Sequence, residues 1–197
     1  MPIVLASASP RRQQLLKNAG INFVVRPANI EEIQRAGEDP VAFAERLARD
    51  KARAVLDSAC GSVILGADTV VVAGDQVLGK PSDAEDAARM LRLLAGRQHF
   101  VITGVCLIGT GYEDADFEDI RSETTVVHFT PLTEAEIRDY VSTGEPMDKA
   151  GAYAIQGRAS RWISKIEGDY FNVVGLPVDL VWRMLREHGV QKAMDSG

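Results

Sequence analysis

Between Ile3 and His188, short apolar runs of strand character alternate with segments whose apolar residues repeat at the helical period. This alternation restricts the fold more than any other feature. Ile3–Ser7, Phe23–Val25, Val63–Val72, Gln76–Leu78, His99–Ile108, Ser122–Phe129 and Arg161–Ile166 read as strands. Pro10–Ala19, Val41–Leu56, Asp83–Ala95, Thr133–Val141 and Leu176–His188 read as helices. Gly74-Asp75 is a hairpin signal, and the acidic stretch Gly109–Asp119 predicts an exposed hairpin loop. Hairpins together with helical crossovers predict an α/β chain with a mixed sheet flanked by helices.

The helix boundaries carry their own signals. Ser9-Pro10 places an N-cap residue before a proline at the first helical position, and Gly20 closes that helix. Thr133 and Glu136 have capping-box spacing. Ala84, Ala87, Ala88, Leu91 and Leu94 share one helix face, and Val178, Val181, Trp182 and Leu185 share another. Gly144–Gly157 reads as a glycine-containing loop region.

Composition excludes several classes. With 22 Lys+Arg against 28 Asp+Glu the net charge is −6, so a chain without a basic stripe is not expected to coat nucleic acid. A small anionic substrate needs only a local basic cluster. The longest apolar runs fall far short of the ~20 residues of a membrane helix, and Met1–Ser7 lacks the features of a signal peptide. Cys60 and Cys106 have neither zinc spacing nor a disulfide framework. They read as small buried hydrophobes, and a cytoplasmic location is the expectation. His99, His128 and His188 have no mutual metal spacing, and no serine sits in a nucleophile elbow. Trp162 and Trp182 read as core or rim.

Three positions break local rules, and such breaks tend to mark sites. Arg11 and Arg12 sit in the first turn of their helix, where the macrodipole prefers carboxylates. They are either two solvated arginines or, with the free N–H groups of the helix end, a phosphate site. Lys51 interrupts the apolar stripe Ala44, Leu47, Ala48, Val55. Its ammonium either snorkels to solvent or points into a functional cleft. Asp68 stands between two apolar runs, as a strand-end cap or as a buried acid that needs a partner. The preceding Gly66-Ala67 would allow a ligand or a backbone to approach closely. Gly74–Lys80 mimics a P-loop, but Pro81 stands where Ser or Thr should hold magnesium, so an ATPase is rejected. Lys80 can still face a phosphate as a point charge.

These motifs together resemble the Maf family of nucleoside triphosphate pyrophosphatases, also described as septum-formation inhibitors. The resemblance rests on Leu5-Ala6-Ser7-Ala8-Ser9-Pro10-Arg11-Arg12, Leu47-Ala48-Arg49-Asp50-Lys51-Ala52, Gly66-Ala67-Asp68-Thr69-Val70, Gly79-Lys80-Pro81, the stretch from Gly144 to Gly157, and Asn172-Val173-Val174-Gly175-Leu176-Pro177. Ala8 and Asp169 depart from the family's commoner residues. Ala67-Asp68-Thr69 and the Asp148-to-Gln156 run resemble the dTTP/UTP branch rather than the 7-methyl-GTP branch.

The resemblance implies a single catalytic domain over residues 1–190, followed by a frayed tail at 191–197, with two lobes around a cleft. It implies hydrolysis between the α and β phosphorus of a nucleoside triphosphate, with no nucleic-acid or membrane partner; a homodimer is allowed. Asp68 matches the catalytic proton acceptor, which would position or deprotonate the attacking water. Arg11, Thr69 and Gln156 match positions tied to base selection, and Ser7, Ser9, Arg12, Lys51 and Lys80 join the binding set. Glu32 and Asp68 would hold a divalent cation, magnesium or manganese. The Gln156 amide offers a donor and an acceptor that match the O4 and N3–H edge of uracil or thymine. A 7-methyl-GTP enzyme and a nucleotide-binding regulator of cell division are the rival readings.

Overall fold

The structure is a computed structural model and describes residues 2–59, 61–111 and 115–190. Among these residues, seven strands form one mixed sheet: β1 (Ile3–Leu5), β2 (Phe23–Val25), β3 (Ile64–Ala73), β4 (Gln76–Leu78), β5 (Gln98–Thr110), β6 (Asp116–Phe129) and β7 (Ile163–Glu167). The order is β2-β1-β3-β5-β6-β7, with β4 paired to β3 off this path. β1 lies parallel to β2 and β3, whereas β3–β4 and β6–β7 are antiparallel. The helices are α1 (Pro10–Asn18), α2 (Pro40–Arg53), α3 (Ala84–Leu94), α4 (Glu134–Ser142), α5 (Tyr170–Val174) and α6 (Val178–Glu187). None of the described helices is long and apolar enough to cross a membrane.

The chain divides into two compact units. The first comprises Met1–Asp68, Thr103–Glu123 and the chain from Gly175 on; the second comprises Thr69–Ile102 and Thr124–Val174. In the first unit, α2 lies close on β3 and β5 because two strand positions lack side chains. A Cβ on Gly66 would overlap the Ala48 carbonyl oxygen and come within 2.9 Å of the Ala52 Cβ; one on Gly104 would overlap the Ala44 carbonyl. What the glycine before Asp68 admits is therefore the backbone of the lysine helix. Phe43 and Leu47 on this face are almost fully buried, which contributes about 2–3 kcal/mol each.

The second unit has its own core, built around Leu91, Leu94, Val127, Phe129, Tyr140 and Trp162. Trp162 packs edge-on against Tyr140 at 5.2 Å, while Trp182 of α6 in the first unit is half-buried. The capping box of α4 forms as its spacing predicts, with Thr133 accepting from Glu136 N–H and Glu136 accepting from Thr133 N–H.

Several expectations need correction. The exposed loop expected from Gly109 to Asp119 is strand at both its ends, since β5 runs to Thr110 and β6 begins at Asp116; residues 112–114 lie outside the described residues. Its Glu118 and Asp119 carboxylates are paired. Arg53 pairs with Glu118, Arg121 and His188 with Asp119, and Phe117 stacks on the His188 ring at 3.8 Å. Helix α5 was not expected, because five residues are too few to show a period. The buried stripes are Ala87, Met90, Leu91 and Leu94 on α3, with Ala84 exposed, and Leu180, Val181, Met184 and Leu185 on α6. Cys106 is fully buried, and burial pushes its thiol up to about 12, so it is an inert hydrophobe. Cys60 and the tail at 191–197 lie outside the described residues.

Candidate active site

The first unit gathers seven of the candidate residues, Ser7, Ser9, Arg11, Arg12, Glu32, Lys51 and Asp68. Asp68 ends the apolar part of β3 within this unit and is 6% exposed. Lys51 faces it from α2 and is 8% exposed, so the ammonium does not run out to solvent. Its Nζ donates to Asp68 Oδ1 at 2.5 Å and lies 2.6 Å from Glu32 Oε1. Two carboxylates from distant parts of the chain thus converge on a single cation.

Glu32 belongs to the irregular segment between β2 and α2, and that segment is tethered to α2. Arg46 makes a two-pronged bond to Glu38, at 2.6 and 2.8 Å, and donates to the Ile33 carbonyl at 2.9 Å. The guanidinium holds the Glu38 carboxyl down at about 2. No sequence signal points to Arg46. The pairing with Glu38, eight residues earlier, has no helical spacing that would reveal it.

Arg12 is the second buried cation, so the reading of two solvated arginines does not hold for it. Its Nε donates to Gly175 O at 2.8 Å, and its Nη1 donates to Ala67 O at 2.8 Å and to Ser7 Oγ at 3.2 Å. It thereby holds the start of α6's connection, the residue before Asp68, and Ser7 in one place. Ser7 Oγ also accepts from Ser9 N–H at 3.3 Å, and Ser9 Oγ caps α1 at the Arg12 N–H. Arg11, half-buried in the same turn, adds positive potential next to Arg12.

The electrostatics follow from this packing. Burial pushes the Asp68 carboxyl above the usual carboxylate range, while Lys51 and Arg12 pull against that shift. Burial lowers the Arg12 guanidinium, and the charges of Asp68 and Glu32 counter it. A buried acid held between two cations, with its carboxyl raised, is the kind of group that takes a proton in catalysis.

Thr69 follows Asp68 in the chain and is half-buried in the second unit. Lys80 and Gln156 also belong to the second unit, where both are exposed. The hairpin at Gly74 has a φ of 58°, and no helix starts at Lys80, since α3 begins at Ala84 behind its Asp83 cap. The resemblance to a P-loop is thus confined to the spelling. Among the described residues no three His, Cys, Asp or Glu side chains converge as a metal site.

A family model described as Maf-like protein matches residues 2–188. The chain is 55% identical over 190 residues to a protein of Koribacter versatilis named dTTP/UTP pyrophosphatase, with 96% of each chain covered. It is 50% identical to a protein of the same name from Symbiobacterium thermophilum, covering 95% of this chain and 94% of that one. A third of that name, from Thermococcus gammatolerans, is also 50% identical and covers 96% and 97%. In fold, the chain is similar to the Ham1 protein of Staphylococcus aureus, with a TM-score of 0.52 at 12% identity over 95% of this chain and 99% of that one.

Proposed function

The chain belongs to the Maf-like family, and from this premise we propose that it hydrolyses dTTP and UTP to the monophosphate and pyrophosphate. The observation that carries the reading is the buried Lys51–Asp68 pair with Glu32 on the same ammonium. The relatives named dTTP/UTP pyrophosphatase support the substrate.

A triphosphate brings several negative charges, and Arg11, Lys51 and Lys80 supply positive charge to offset them. Arg12, with its Nε and Nη1 bonded internally, acts through its field and by holding Ser7 and the Asp68 strand. Asp68 accepts the proton of the attacking water, and its raised carboxyl makes it a better base than a free aspartate. Lys51 holds Asp68 Oδ1 in place, leaving the other carboxylate oxygen for the water.

Glu32 and Asp68 would hold the divalent cation. Both are hard oxygen donors already converging on one cation, and two carboxylates with phosphate oxygens and water suit magnesium or manganese. When bound there, the ion supplies Lewis-acid stabilisation of the phosphate charge. Arg11, Thr69 and Gln156 are the base-selecting residues of this reading, with the exposed Gln156 amide reading the pyrimidine edge.

The test is pyrophosphate release from dTTP, UTP, CTP, 7-methyl-GTP and GTP, with magnesium, manganese or chelator. Metal-dependent turnover of dTTP and UTP at similar rates, slow CTP, and loss in Asp68→Asn are expected. Folded protein that binds UTP but releases no pyrophosphate from any nucleotide would overturn the enzymatic reading. Comparable turnover of CTP and UTP would overturn the role of Gln156.

A further inference from the structure

The turn that carries Gln156 is held from beneath by Tyr140 and Glu145. Tyr140, on α4, is 1% exposed. Its hydroxyl accepts from Ala154 N–H at 3.3 Å and donates to Glu145 Oε1 at 2.9 Å. The Glu145 carboxylate accepts from Arg158 N–H at 3.0 and 3.3 Å. Between these anchors the turn closes through Gly157 N–H to Ala154 O at 3.0 Å. Gln156 lies in this turn, exposed, and its side chain makes no hydrogen bond to another of the described residues.

Glu145 is built into this turn. A Cβ on Gly157 would overlap the Glu145 Oε1 atom, so the glycine next to Gln156 leaves room for the carboxylate where it stands. Glu145 is itself fixed at both backbone ends. Its N–H donates to Thr143 Oγ1 at 3.2 Å, and its carbonyl accepts from Lys149 Nζ at 2.6 Å. Burial and the neighbouring carboxylate push the Tyr140 phenol up, so it keeps the proton that it donates.

We propose that Tyr140 and Glu145 are positioning residues for the base-reading Gln156: they fix the main chain on both sides of it, so that its amide meets the pyrimidine without first ordering the turn. The proposal rests on the assignment of base reading to Gln156. Holding a binding loop in its bound form cuts the ordering cost of association, which is the physical gain.

The experiment measures kcat/KM for UTP, and inhibition by pyrophosphate, in Tyr140→Phe, Glu145→Ala, Gln156→Ala and the two doubles with Gln156→Ala. Pyrophosphate is the product without a base. Each clamp variant is expected to lower kcat/KM for UTP about tenfold, through KM, with pyrophosphate inhibition unchanged. In the Gln156→Ala background the same changes should cost less than about twofold, because residues acting through one another are not additive. Equal losses in both backgrounds, or weaker pyrophosphate inhibition in step with KM, would overturn the positioning role alone. An unchanged kcat/KM in Gln156→Ala would overturn the base reading and the proposal with it. Tyr140→Phe keeps the ring packed on Trp162, so it decides the matter if Glu145→Ala does not fold.

Discussion

Lys51 Nζ lies 2.5 Å from Asp68 Oδ1, with only 10% and 8% of the two side chains exposed. A pair so buried is costly to break from one side, because the remaining charge loses its partner. The same burial that raises the Asp68 carboxyl makes it useful as a base.

Asp68→Asn should fold and lose about 10²–10⁴-fold in kcat, the usual contribution of a positioned base. Lys51→Met should destabilise the protein by about 3–5 kcal/mol, because the Asp68 charge is left buried. The double Lys51→Met/Asp68→Asn should recover much of that loss. Chemical denaturation of the three variants checks the stabilities, and initial rates check the chemistry. The wild-type rate should fall on acidification with a midpoint above the usual carboxylate range, since Asp68 acts deprotonated.

Chelation should stop turnover, and magnesium or manganese should restore it. Glu32→Gln should raise the metal concentration needed for half-maximal rate. Arg46→Ala should do the same in milder form, because it releases Glu38 and the Ile33 carbonyl and so frees the segment that carries Glu32. Metal titrations of activity distinguish this from a general loss of rate, and an unchanged metal requirement in Arg46→Ala would remove its supporting role.

Gly66→Ala should be among the most damaging single substitutions. The added methyl meets the Ala48 carbonyl, so α2 must move off the sheet, and with it Lys51. Overpacking of this kind costs about 1–3 kcal/mol or more. The expected outcome is a lowered Tm together with lost activity.

His99 sets a pH dependence of stability away from the site. It is 1% exposed, shares a hydrogen bond with the Tyr153 hydroxyl through Nε2 at 2.8 Å, and leaves Nδ1 without a partner among the described residues. Burial pushes it down to about 4. The unfolded chain takes up this proton near pH 6.5 and the folded chain only near 4. Stability is therefore full above about pH 6.5 and falls as pH drops toward 4, by about 3 kcal/mol. His99→Phe should flatten that slope in denaturation measured from pH 7.5 to 4.5; an unchanged slope would place the titration elsewhere.

The elements were legible because local physics sets them. The helical period, the Ser9-Pro10 start, the Thr133–Glu136 capping box and the Gly74-Asp75 turn all act within a few residues, and each appears where its spacing predicts. Asp68, Lys51 and Arg12 were legible as broken rules, since a charge in an apolar run or at the wrong end of a helix dipole must be satisfied somewhere. Neither their partners nor the sense of each break could be read along the chain. That Lys51 turns inward follows from Gly66 and Gly104 letting α2 settle onto the sheet. That Arg12 is held on Gly175, Ala67 and Ser7 depends on contacts 163, 55 and 5 residues apart. The acidic start of β6 was misread for the same reason: Arg53 of α2 pairs with Glu118, and His188 hydrogen-bonds Asp119, both from far along the chain, while only Arg121 meets Asp119 from within the strand. Sequence by itself therefore determined which residues had to find partners. Tertiary structure alone decided which partners they found, because burial and distance, not sequence separation, set the strength of a charge pair.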